Sequence, residues 1–377
     1  MAVNDFFFFG TLRHLPLLSI VMGREPDVSA AHLSGFGVRH VDGADYPMLV
    51  PSASDTAHGL WIANVTDAER ERLNYYEAGF VFDLMEQTVE TPYGPRAALV
   101  YRAQGLKPSA TPWDLDLWVA THGNMTQEAA AEIMRAYEAG ITVETLIHRQ
   151  AIIRARAHST TATARTLRPS TVGTTVTRAD VTIHETRHPY EAFFRVDEVT
   201  LSHKGYGGGE VGPIDRAVFV VPDAVTVLPY DPVRDRVLLI EQIRIGALVR
   251  GDQQPWMLEP IAGMIDAGET PEQTAIRETY EEAALRLQQT DLHHISTYYP
   301  SPGGIAQRFV SYVALCDLPD GIAGLGGEET EHEDLCAHLV DFAQLLEMVC
   351  SGEAANAALI ISAQWLQLER DRLQAGA

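Results

Sequence analysis

Cysteine is scarce in this chain: three in 377 residues, Cys316, Cys336 and Cys350, with no Cys-x-x-Cys pair. That scarcity argues against a disulfide framework or a cysteine-built zinc site, and points to a reducing compartment, the cytosol. Basic residues are few as well. Lys and Arg total 28 against 51 Asp and Glu, a formal charge of −23. Long nucleic acids and anionic membrane surfaces both demand basic patches, so neither is an expected partner, and phosphate chemistry would need a metal to mediate it. No apolar run reaches the ~18 residues of a membrane-spanning helix. The opening MAVNDFFFFG has an acidic rather than basic leader, so no signal peptide is expected and the sequon Asn64-Val65-Thr66 should be idle. No repeat of about 20–50 residues is visible. What remains is globular in composition, with 46% hydrophobic and 21% charged residues. The length suggests two or three domains.

Residues 1–105 alternate short apolar runs with turn signals (Phe6–Phe9, Tyr46–Val50, Gly59–Val65, Phe80–Glu90, Arg96–Tyr101), which reads as a small β-rich or α+β unit. Residues 113–157 change to a helical period, predicting helices over Thr126–Ala139 and Thr142–Arg156 on either side of Gly140. The Thr- and Ser-rich stretch 158–179 has no apolar period and reads as a linker. Domains are therefore expected at 1–157 and 180–377. In the second, strands are expected at Ala217–Val221, Val225–Leu228, Arg236–Ile240, Phe309–Ala314 and Cys336–Val340, with closing helices Asp341–Ser351 and Leu359–Leu373.

The densest signal is Gly263–Leu285, which fits Gly-x5-Glu-x7-Arg-Glu-x-x-Glu-Glu. Six fixed residues arise by chance with odds of roughly one in ten million per starting point at ~7% usage per position. Thr270, Pro271 and Gln273 supply an N-cap, a first-turn proline and a capping-box partner, so a helix should begin at Pro271. At ~100° per residue, Arg277, Glu278, Glu281 and Glu282 then span roughly 140° of the helix, with Ala275, Ile276, Thr279, Tyr280 and Ala283 opposite. Glu278 and Glu282, four apart, repel one another. A cation would offset that repulsion, and Mg²⁺ is suited because it takes one or two carboxylates, keeps waters and bridges to phosphates.

The segment resembles a Nudix box. By that resemblance Glu278, Glu282 and the Ala262 carbonyl hold Mg²⁺, with Mn²⁺ the alternative. Glu281 shares in the site, and Arg277 pairs with Glu269 to brace the loop. Thr279 and Ala284 depart from the pattern, where an aliphatic residue and a glycine are usual. The flanks Asp223–Ala247, Pro255–Gly263, Tyr298–Gly304 and Gly326–Leu335 resemble the ADP-ribose pyrophosphatase branch, including its tellurite-resistance-associated members, over about residues 190–370. That branch implies an α/β/α sandwich with a mixed sheet, and hydrolysis of ADP-ribose or related nucleoside diphosphate sugars to AMP and ribose 5-phosphate. Arg244, Arg216, Glu259 and Pro302 fall at substrate-binding positions, Pro302 in a Ser-Pro-Gly-Gly context. Glu333 falls at the general base, in an acidic loop where Glu331 and Glu329 are the next choices. Gln307, Ala217 and Cys336 replace the usual Glu, Glu and Arg, departures that bear on substrate selectivity more than on hydrolysis. Enzymes of the branch commonly pair, so a homodimer is implied.

Phe9-Gly10-Thr11-Leu12, Tyr46–Pro51, His58–Trp61 and Leu73–Gly79 resemble a γ-glutamylcyclotransferase-like fold, a small β-barrel-like domain, over about residues 5–105. There Gly10, Thr11 and Leu12 would offer backbone N–H groups to a carboxylate, and Glu77 would shuttle protons. Phe9 and Phe82 stand where tyrosines are usual. Two alternative readings of the chain stay open: a non-catalytic nucleotide-sensing or scaffold protein, and a γ-glutamyl cyclotransferase acting through Glu77.

Overall fold

The computed structural model describes residues 4–80, 82–164, 168–173, 176–326 and 334–376. The chain divides into two compact units, Met1–Arg165 and Thr166–Ala377.

The first unit runs β1 (Phe6–Phe8), α1 (Leu15–Met22), β2 (Ser29–Val41), β3 (Pro47–Ile62), α2 (Asp67–Glu77), β4 (Phe82–Thr91), β5 (Gly94–Ala103), β6 (Pro108–Pro112), α3 (Leu115–Trp118), α4 (Asn124–Glu138) and α5 (Val143–Ala164). The sheet order β3-β1-β5-β4-β2-β6, with β2 also pairing β3, closes five strands into a barrel. Phe7, Phe9, Leu33, Leu49, Trp61 and Val100 fill it. The separate apolar runs Tyr46–Val50 and Gly59–Val65 fall largely in one strand. β2 pairs along the whole span from Ser29↔Trp61 to His40↔Pro47, so one long β3 results, with the irregularity taken up between Ser34 and Phe36. α5 continues to Ala164, so the first residues of the Thr/Ser-rich stretch read as a linker are helical. Arg156, 1% exposed, pairs there with Glu132 of α4, satisfying both charges inside the helical layer.

The second unit runs β7 (Val181–Glu191), β8 (Arg195–Lys204), β9 (Glu210–Val220), β10 (Ala224–Asp231), β11 (Arg236–Ile243), α6 (Ile245–Arg250), β12 (Trp256–Glu259), β13 (Ile261–Met264), α7 (Pro271–Ala283), β14 (Leu292–Tyr298), β15 (Ile305–Ala306), β16 (Phe309–Leu315), β17 (Gly324–Gly326), β18 (Leu335–Asp341), α8 (Phe342–Ser351) and α9 (Ala357–Ala375). Its main sheet is mixed, in the order β14-β16-β10-β11-β18-β17, with β12 on β11 and β13 on β10. Strand alternation builds two cores from the same strands. Val225, Val227, Leu238 and Ile240 face one side with Ala275 of α7. Leu228, Tyr230, Val237 and Leu239 face the other with Leu345 of α8 and Leu359 and Leu366 of α9. Each fully buried aliphatic side chain contributes about 1.5–3 kcal/mol. The result is an α/β/α sandwich. Strands β15-β9-β8-β7 form a separate sheet in which β7 and β9 are mostly exposed and β8 between them is half-buried.

Candidate functional site

Helix α7 starts where the capping box predicts: Gln273 donates its backbone N–H to Thr270 Oγ1 at 3.3 Å, and the Gln273 side chain accepts from Thr270 N–H at 2.8 Å. Two residues cross the boundary between apolar and acidic faces that the helical period suggested. Tyr280 is 49% exposed, with Arg286 stacked 5.1 Å above its ring, and Glu282 is buried at 5%. Glu282 lies at the edge of the acidic arc, next to the apolar face.

Arg277 gathers the box. Its Nε and Nη2 donate to the two oxygens of Glu269 at 3.1 and 3.0 Å, and its Nη1 donates to Glu278 at 2.8 Å and Glu281 at 2.9 Å. Burial pushes the Glu269 carboxyl up, but hydrogen bonds from Arg277 and Thr274 outweigh it and hold the group below the usual carboxylate range. Burial likewise pulls Arg277 down, yet Glu269, Glu278 and Glu281 leave it above its ordinary value. It is a permanent cation among these carboxylates.

Gly263 explains its own place in the box. A Cβ built there would stand 1.8 Å from Glu278 Oε1, so only the bare backbone lets that carboxylate lie against β13. Gly263 and Ala262 also line a cleft of about 340 Å³, together with Thr226 of β10, Arg244, Glu259 and Gln307. Among the described residues no three His, Cys, Asp or Glu side chains stand close enough to enclose a cation. The donors available are nonetheless all hard oxygens, with Glu278 seated on the strand that carries the Ala262 carbonyl. This fits a divalent cation that completes its shell with phosphate and water.

Across the cleft, Arg244 Nε donates to Glu259 Oε2 at 3.0 Å, and Arg244 Nη2 lies 2.6 Å from Glu259 Oε1. That second approach is an ion-pair contact whose N–H is not aimed at the oxygen, since Oε1 accepts no aligned hydrogen bond. Glu259 is 2% exposed; burial raises its carboxyl, opposed by Arg244 and, more weakly, by the Gln242 side chain. Gln307 enters from the start of β16 with Nε2 on Pro222 O at 2.7 Å. Its neighbour Arg308 is clamped by the buried Asp223, which accepts from Arg308 N at 2.8 Å, Nε at 2.9 Å and Nη2 at 2.7 Å.

Not every residue marked in the sequence reaches the cleft. Arg216 stands exposed on β9 and donates to the Asp215 carbonyl at 2.8 Å, and Pro302 lies in an exposed turn; neither lines the cleft. Glu329, Glu331 and Glu333 lie outside the described residues. Conversely, Asn356, which sequence reasoning missed, lines the cleft at the start of α9. The available signal was an N-cap residue type just before the apolar Leu359 run.

In the first unit, Glu77, Gly10, Thr11 and Leu12 come together around a cavity of about 40 Å³ whose walls include Phe9 and Phe82. Gly10 is required there, because a Cβ would meet Pro47 Cγ at 2.7 Å. Burial pushes the Glu77 carboxyl up to about 8.

Comparison with known proteins agrees with both halves. Residues 221–359 match the NUDIX domain profile, and residues 6–119 match the profile for γ-glutamyl cyclotransferase, AIG2-like. The chain is 37% identical over 187 residues to the ADP-ribose pyrophosphatase of Haemophilus influenzae, covering 49% of this chain and 85% of that protein. It is 37% identical over 208 residues to the ADP-ribose pyrophosphatase of Escherichia coli K12, covering 55% of this chain and 98% of that protein. The GDP-mannose pyrophosphatase of an Enterobacter species is 29% identical over 160 residues, 42% of this chain and 81% of that protein. In keeping with its box helix, glycine and carboxylates, the chain belongs to the Nudix family and carries an AIG2-like γ-glutamyl cyclotransferase domain ahead of its Nudix domain.

Proposed function

We propose that the second unit hydrolyses the diphosphate of ADP-ribose, or of a related nucleoside diphosphate sugar, to AMP and ribose 5-phosphate. The observation that carries this is Glu278 lying against Gly263 at the rim of a cleft that also holds the Arg244–Glu259 pair. Identity to ADP-ribose pyrophosphatases over nearly their whole length supports the substrate. Glu278, Glu282 and the Ala262 carbonyl would hold the cation, magnesium first and manganese second. Bound there, it supplies positive charge to the two phosphates and lowers the pKa of water.

The chain's own groups do the rest. Arg277 hydrogen-bonds Glu278 and Glu281 and ties them to Glu269. Arg244, braced from one side by Glu259, offers its remaining N–H groups to a phosphate oxygen. Pro302 is assigned to the substrate side. Glu333 is the assigned base for the attacking water, with Glu331 and Glu329 next, on the strength of their place in the sequence. A charge of −23 supports a small nucleotide over a long nucleic acid. Free Cys316, Cys336 and Cys350 support a reducing cytosol. The exposed residues of β7 and β9, with Tyr190, Phe193 and Val211 on or beside them, support pairing of two chains. Arg216 on β9 would serve substrate through that pairing.

The test is release of AMP from ADP-ribose with Mg²⁺ by the purified chain. EDTA should abolish turnover, and Glu282→Gln should lower kcat by about a hundredfold or more, the scale of removing a transition-state charge partner. Turnover that survives Glu282→Gln would sink the proposal, and binding without turnover would favour a nucleotide sensor. GDP-mannose run in parallel decides between the two relatives' substrates. For the first unit one observation favours a second activity: the Glu77 carboxyl, at the cavity wall, has no hydrogen-bond partner among the described residues and is poised to exchange a proton. Release of 5-oxoproline from γ-glutamyl amines, lost in Glu77→Gln, would establish it.

A further inference from the structure

Glu259 is buried beneath the cleft, yet its carboxylate must keep one orientation if Arg244 is to face substrate. Arg244 alone does not fix it. The guanidinium is 41% exposed on its side chain, and only its Nε makes an aligned hydrogen bond, to Oε2 at 3.0 Å. The second anchor on Oε2 is Asn356, whose Nδ2 donates at 3.0 Å. The other end of the same amide is spoken for. Asn356 Oδ1 accepts the backbone N–H of Ala358 at 2.9 Å and of Leu359 at 3.3 Å, capping α9. α9 is itself immobilised, with Leu359, Ala363 and Leu366 at 0% exposure in the core. The amide thus has a helix at one end and a substrate-facing ion pair at the other.

We propose that Asn356 is a positioning residue for substrate binding, holding Glu259, and through it Arg244, in register with the cleft; this rests on reading the second unit as a nucleotide hydrolase. Only an amide of this length does both jobs. Aspartate caps a helix as well as asparagine but cannot donate when ionised, and it would set a second carboxylate against Glu259. Serine and alanine are too short to reach Glu259. Asn356 is therefore not simply a cap, and the two roles separate by substitution.

The experiment is a double-mutant cycle in the full chain, reading KM and kcat for ADP-ribose. Asn356→Asp keeps the cap and should raise KM by about tenfold, the equivalent of ~1.4 kcal/mol, with kcat changed less than about twofold. In a Glu259→Gln background the same change should alter KM by less than about twofold, because the amide introduced at position 259 can donate to the carboxylate introduced at position 356. A role confined to capping predicts no rise in KM. An equal rise in both backgrounds, or none in either, overturns the proposal. Should the wild type fail to turn over ADP-ribose, the hydrolase reading is what has failed. The cycle is then read in the urea-unfolding free energy of the ligand-free chain. There the proposal expects Asn356→Asp to be less costly in the Glu259→Gln background than in the wild type, and additivity overturns it.

Discussion

Glu77 and Glu259 are both buried carboxyls, and their surroundings set them to different tasks. Glu259 has an arginine and an amide on its oxygens, so ionisation is opposed by burial but supported by partners. Glu77 ends α2, where the helix dipole also disfavours negative charge, and burial alone pushes it up to about 8. The folded state thus binds a proton that the unfolded chain, near 4.3, has released. The stability this contributes is present in full below about pH 4 and is lost as pH rises toward 8, at up to ~1.4 kcal/mol per pH unit. Glu77→Gln should flatten that slope. Hydrogen exchange of the barrel amides from pH 5 to 8 measures it, and identical pH dependences for wild type and variant would refute the assignment.

Helix α7 begins well and ends badly. Its start is spelled out by Thr270, Pro271 and Gln273, but its C-cap, Ala284, is forced to φ 53°, a left-handed conformation that glycine adopts without cost. Ala284→Gly should therefore stabilise the chain by about 1 kcal/mol, read as a raised urea midpoint at unchanged slope; an unchanged midpoint would contradict it. The same helix shows what a sequence makes legible. Regular spacing placed Arg277 and its glutamates on one arc, and the structure joins Arg277 to Glu269, Glu278 and Glu281. The burial of Glu282 was hidden because it depends on packing that the helical period does not show. β2 was missed because SAAHLSGFGVRHV breaks alternation with small residues and two glycines, and its partner strand dictates the pairing. Asn356 carried a local signal for its cap. Its bond to Glu259 joins residues 97 positions apart, which no local pattern can reveal.

At the scale of the molecule, each unit has its own core, and the family resemblance made both architectures legible in the sequence. The open sheet of β7, β8 and β9 is different, since β7 and β9 turn mostly exposed residues outward on a single chain. Sedimentation equilibrium should find twice the 41.4 kDa chain mass, and the pair Tyr190→Asp with Phe193→Asp should shift it to one. A monomer in wild type would contradict the pairing. The Asp223 clamp has a consequence for the cleft wall. Because the buried carboxylate grips both the backbone and the guanidinium of Arg308, the start of β16 keeps an anchor of its own even without the Gln307 bond to Pro222. Position 307 is thereby a replaceable tile in the cleft wall: exchanging Gln307 should alter the lining of the cleft without moving the start of β16.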